Sequence, residues 1–157
     1  MQTVYLANPF GFSNLTIVAL EQIKLKLEEH FKVVEPFTEN DESGQKINEL
    51  LEKETDIRIL KEKLKILNRE IGKRNAGFID NSDIIIAILD GPEVDSGVAA
   101  EVGYAYGRGK TVHGIREDFR SGGDNLGSMI NLQVEYFVEE SGGKVHSSLD
   151  SLLKSVT

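Results

Sequence analysis

Apolar residues in this chain follow two patterns. Short aliphatic and β-branched runs at Thr3 to Ala7, Phe31 to Val34, Asp83 to Leu89, Lys110 to Ile115 and Val134 to Val138 predict five strands. The third run, Asp83-Ile84-Ile85-Ile86-Ala87-Ile88-Leu89, has no polar residue after its first, as expected of a parallel strand buried on both faces. Elsewhere the apolar positions take helical spacing. A helix capped by Ser13 or Asn14 includes Leu15, Val18, Ile23 and Leu27. From Gln45 to about Phe78, Ile47, Leu50, Leu51, Ile57, Leu60, Leu64, Leu67 and Ile71 recur at helical steps. The Glu/Lys-rich faces between them read as solvated surface or a subunit contact. Asn8-Pro9 and Glu35-Pro36 close the first two strands. The stretches Glu39 to Gly44 and Asp118 to Gly127 read as polar loops, and Val145 to Val156 as a weak terminal helix. Strands alternating with helices predict a parallel sheet covered on both faces. No repeat or linker interrupts the pattern, so residues 1–157 are expected to form one domain.

Composition narrows the function classes. The 157 residues are 39% hydrophobic and 28% charged, values ordinary for a soluble globular protein. A net charge of −8 argues against a nucleic-acid polymer or an anionic membrane as the main partner. There is no cysteine, which removes thiol chemistry and fits a reducing compartment. Met1 to Ala7 has neither a basic segment nor a long apolar run, so no signal peptide or membrane span is expected, and the default location is the cytoplasm.

Candidate chemistry concentrates after the third strand, in Asp90-Gly91-Pro92-Glu93-Val94-Asp95-Ser96-Gly97-Val98-Ala99-Ala100-Glu101-Val102-Gly103-Tyr104-Ala105. A strand, a short polar turn and then a helix put Glu101 in the first helical turns, above the carboxyl edge of the sheet, where open α/β sheets bind ligands. Its small neighbours admit a ligand closely and supply no cation, which suits a nucleophile or base. Plainer roles stand beside this one. Glu101 complements the helix dipole, and Asp95 is placed to be the N-cap. Gly91 and Gly97 give backbone freedom at the turn. Asp90 closes the strand as a hydrogen-bond acceptor. Tyr5 suits the core, Phe10 suits loop closure, Asn75 a helix end and Asn131 a turn. Asp118 and Arg120 read as a surface ion pair, with substrate binding by Arg120 as the other reading. His30, His113 and His146 are scattered, so no metal site is expected.

These residues resemble the nucleoside 2-deoxyribosyltransferase family. The resemblance rests on Tyr5, Phe10, the segment Asp95 to Ala105 and Asn131 in Met129-Ile130-Asn131-Leu132. It covers most of the chain and is weakest between Glu39 and Lys73. It implies a flavodoxin-like, doubly wound five-stranded parallel sheet, with helices on both faces. It also implies an enzyme of nucleotide salvage that cleaves the N-glycosidic bond of a 2′-deoxynucleoside and passes the sugar to another base. No cofactor is implied; the partners are a nucleoside and a free nucleobase. On this likeness Glu101 is the nucleophile at C1′, through a deoxyribosyl ester and retaining double displacement. Asp95 contacts the base and aids its protonation, and Tyr5 orients Glu101. Phe10 stacks on the base, Asn131 reaches the 5′-hydroxyl, and Asn75, Asp90, Gly91, Ser96 and Gly97 complete the substrate-binding set. If Asn131 serves a neighbouring subunit's site, the protein is a homo-oligomer, a dimer or higher.

The chain also departs from the family. Asn75 stands where many transferases have an acid, and an amide delivers no proton. This keeps open an N-hydrolase with water as acceptor. In relatives that hydrolyse 5′-monophosphates, a serine stands six residues before the glutamate. Asp95 occupies that place here and would repel a phosphate, which favours an unphosphorylated nucleoside. A non-catalytic nucleotide-binding module is the remaining class.

Overall fold

The computed structural model describes residues 1–157. Its strands are β1 (Thr3–Ala7), β2 (Lys32–Val34), β3 (Ile84–Ile88), β4 (Thr111–Ile115) and β5 (Val145–His146). They form one sheet in the order β2-β1-β3-β4-β5, every pairing parallel. The helices are α1 (Ile17–Glu28), α2 (Pro36–Glu39), α3 (Asp41–Lys53), α4 (Ile57–Asp80), α5 (Ser96–Gly107), α6 (Leu132–Glu140) and α7 (Leu149–Val156). None is long and apolar enough to cross a membrane.

Alternation along β1 and β3 divides the core into two layers. Tyr5, Ala7, Ile85 and Ala87 point to one face, where Ile79 of α4, Val98 and Val102 of α5, and Val134 and Val138 of α6 cover them. Val4, Leu6, Ile86 and Ile88 point to the other, under Leu20 and Leu27 of α1 and Leu149 and Leu152 of α7. This is the doubly wound, flavodoxin-like α/β arrangement, because a strand buried on both faces needs apolar side chains of both parities. Between β1 and β3 the strand order reverses, opening a crevice at the carboxyl edge.

Three expectations need correction. Val134 to Val138 is helix, not strand. Val134, Phe137 and Val138 stand at helical spacing, and Asn131 caps the helix by accepting from the backbone N–H groups of Gln133 and Val134. The true fifth strand is only Val145–His146, and the terminal helix starts after the Ser148 cap. Second, Glu39 to Gly44 is not a loop. Glu35 caps α2, Pro36 takes its first turn, and α3 follows with Asp41 and Glu42 against the positive end of its dipole. The helical stretch that follows is two helices, parted where Asp56 caps α4. Third, α1 begins at Ile17, one residue after the Thr16 cap position, which leaves Leu15 exposed ahead of it.

Candidate active site

Two neighbouring crossovers build the site. β1 delivers Tyr5, whose ring is wholly buried and whose hydroxyl reaches the sheet's carboxyl edge. α5 delivers Glu101 in its second turn. The Tyr5 hydroxyl donates to Glu101 Oε1 at 2.6 Å, although 96 residues separate them in sequence. Burial raises the Glu101 pKa above the ordinary glutamate value. The Tyr5 hydrogen bond opposes that rise, and the charges of Asp95 and Glu35 add to it. Tyr5 itself is pushed far above the usual phenol range, first by burial and then by the Glu101 charge, so it stays a donor.

Asp95 is the N-cap of α5. Its Oδ1 accepts from the backbone N–H groups of Gly97 and Val98 at 2.9 and 3.0 Å. Oδ1 is occupied by the helix, while Oδ2 makes no hydrogen bond within the chain. Gly97 fits because a Cβ there would lie 3.0 Å from Asp95 Oδ1.

Glu101, Asp95, Gly97 and Asn75 open on one cavity of about 860 Å³. Its far wall is the segment between β2 and α3. There Glu35, 2% exposed, is a buried hub. Its Oε1 accepts from Asn8 Nδ2 and Phe37 N, and its Oε2 from the backbone N–H and hydroxyl of Thr38. Asn8 in turn donates to the Leu6 carbonyl and accepts from Phe10 N, tying the β1 loop to this wall. Phe12 and Phe37 meet edge to face, 4.7 Å between ring centroids, and both line the cavity. The lining holds five carboxylates (Glu21, Glu35, Asp41, Asp95 and Glu101) and no lysine or arginine.

The other sequence candidates lie elsewhere. Phe10 packs against the α1-side core, so the aromatic surface of the cavity comes from Phe12 and Phe37. Asp90 bridges two strand ends, accepting from Glu117 N at 2.7 Å and Asp118 N at 2.9 Å. Gly91 takes a positive φ of 121° and offers its carbonyl to the buried Arg116 guanidinium. Ser96 is exposed at the start of α5. Asn131 is exposed at its cap position and lines a separate depression with Glu93 and Asp124. Glu35, Asn8, Asn40, Phe12 and Phe37 had no motif to announce them. Only Glu35-Pro36, a capping residue before a first-turn proline, carries a readable signal.

Similarity to known proteins extends to the fold and to the family. No curated protein matches the chain. Among solved structures, a 2-deoxyribosyltransferase from Leishmania mexicana superposes with a TM-score of 0.65 at 24% identity, over 99% of this chain and 96% of that one. A 2-deoxyribosyltransferase from Bacillus psychrosaccharolyticus gives 0.65 at 18% identity, over 96% and 89%. A CMP N-glycosidase from Clostridium botulinum gives 0.57 at 15% identity, over 99% and 98%. At these identities the likeness is one of fold. The sequence model of the nucleoside 2-deoxyribosyltransferases matches residues 4–133, a span that contains Tyr5, Asp95, Glu101 and Asn131. The chain belongs to the nucleoside 2-deoxyribosyltransferase family.

Proposed function

We propose that this protein cleaves the N-glycosidic bond of a 2′-deoxynucleoside by retaining double displacement and passes the sugar to a second base. The observation that carries the reading is the 2.6 Å hydrogen bond from the buried Tyr5 to Glu101 at the mouth of the crevice. Glu101 attacks C1′ as the C1′–N bond breaks, and the departing base takes up the electron pair. The oxocarbenium-like transition state is stabilised by the carboxylate beneath it. Asp95, through its free Oδ2, contacts the base and aids its protonation. A second base then attacks C1′, and the ester to Glu101 breaks.

Every charged side chain of the lining is acidic, which supports an unphosphorylated substrate, because a phosphate dianion would meet no lysine or arginine among them. Asn75 favours a second reading, an N-hydrolase in which water resolves the ester. Chromatography of a 2′-deoxynucleoside with and without a second free base separates the two. A new deoxynucleoside identifies a transferase, and base release indifferent to the acceptor identifies a hydrolase. Glu101→Gln is expected to lower either activity by about 10⁴-fold; retention of full activity would sink the mechanism.

Residues 1–157 then act as one catalytic domain, placed in the cytoplasm among nucleoside-recycling reactions. Asn131 stands beside exposed Met129 and Leu132, with exposed Leu126 nearby in the preceding loop, and this supports a homo-oligomer in which that edge meets a neighbour. Light scattering at assay concentration should return at least twice the 17.4 kDa chain mass; a monomer would refute the subunit role of Asn131.

A further inference from the structure

The acid expected at position 75 is replaced by an amide, and the structure holds that amide in one orientation. Asn40 Nδ2 lies 2.8 Å from the Pro36 carbonyl oxygen and 2.9 Å from Asn75 Oδ1. A backbone carbonyl only accepts, so the Asn40 atom facing it must be the nitrogen. That nitrogen also faces Asn75, so the Asn75 atom it meets must be the oxygen. Both amides are thereby fixed, and Asn75 Nδ2 is left as an unpaired donor on the cavity wall. Asn40 is 8% exposed, and its own Oδ1 is buried with no partner. An unpaired buried acceptor destabilises a fold, so stability alone does not favour this arrangement.

We infer that Asn40 is a positioning residue for base recognition: through Asn75 it turns an N–H donor toward the nucleobase, so that the site selects an oxo-base over an amino-base. This rests on the reading that the cavity holds a nucleobase. An oxo group accepts from Asn75 Nδ2, whereas an exocyclic amino group would set donor against donor. An amide does not titrate between pH 5 and 8, so Asn75 itself adds no pH dependence to the preference across that range.

Calorimetric titration of the full chain with free hypoxanthine and free adenine tests this without requiring turnover. The wild type should bind hypoxanthine roughly fivefold or more tightly than adenine, one hydrogen bond's worth. Asn40→Ala frees Asn75 to rotate and should bring the ratio of the two dissociation constants toward one. A general loss of folding would weaken both bases and leave their ratio alone. Asn75→Asp keeps the bond from Asn40 while turning the cavity-facing atom into an acceptor, so the preference should invert and become pH-dependent. If both bases bind and their ratio is the same in wild type and both variants, the inference falls and the proposed function stands. If neither base binds the wild type, the nucleobase reading of the cavity falls, and the inference with it.

Discussion

Glu101 is pulled in two directions. Burial favours its protonated form, and the Tyr5 hydroxyl favours the carboxylate. In the proposed mechanism only the carboxylate attacks C1′, so activity should fall as pH drops through the raised Glu101 pKa. Tyr5→Phe removes the opposing bond. The acid limb of the pH–rate profile should therefore move to higher pH, with kcat/KM at neutral pH lower by roughly 10- to 100-fold, the worth of a hydrogen bond to a charge. An unmoved limb would show that Tyr5 does not tune Glu101. Stability runs the other way. A carboxyl whose folded pKa lies above its unfolded value costs stability once pH exceeds both. Glu101→Gln should accordingly raise Tm at pH 7, and the gain should shrink as pH falls through the raised pKa. At this scale Glu101 and Asp95 were legible because each belongs to a local pattern, a helical turn and a cap, whereas Tyr5 read from its strand as a core residue and was singled out only by the family resemblance. Phe12, Phe37 and Asn40 were not, because their places depend on how a distant segment folds over the sheet.

Short elements escaped the pattern reading for a related reason. β5 has two residues, too few to show a period, while the apolar set of α6 is rich in valine and resembles a strand until its spacing is counted. α2 has four residues, and its existence rests on one buried side chain, Glu35, rather than on propensity. The close approach of β5 to β4 depends on Gly143, where a Cβ would collide with the Val112 carbonyl oxygen. Gly143→Ala should cost about 3 kcal/mol by overpacking against backbone that cannot yield. Urea denaturation checks this, and an unchanged midpoint would mean that the β4–β5 edge is looser than described. The long regular elements β1, β3 and α5 were readable because burial on both faces, or an intact cap, writes itself into consecutive residues.

At the scale of the whole molecule, acid should weaken the edge of the sheet opposite β2. His113 on β4 and His146 on β5 are both buried, their rings 3.1 Å apart between Nδ1 and Nε2. Burial lowers both pKa values, with a further lowering of His113 by His146 and of both by Lys144. Unfolded histidines take protons near pH 6.5. The stability from keeping this pair neutral is therefore full above that pH and is lost as pH falls toward the lowered folded values. Thermal unfolding between pH 7.5 and 5 should show Tm dropping more steeply for the wild type than for His113→Gln; parallel curves would refute it. The site, in contrast, is divided between parts of very different firmness. Tyr5 and Glu101 are rooted in the sheet and α5, Tyr5 between the buried Val4 and Leu6, and Glu101 on the helix that buries Val98 and Val102. The opposite wall leans on α3 and α4, a hairpin whose buried side chains number only Ser43 and Ile79. On the proposed reading, the attacking carboxylate and Asp95 stand on the core-packed side of the cavity, and Asn40 and Asn75 on the hairpin side. On that reading, substitutions along the hairpin retune through Asn75 which bases are accepted while Tyr5 and Glu101 stay where they are, like a lathe whose chuck is changed without moving the tool.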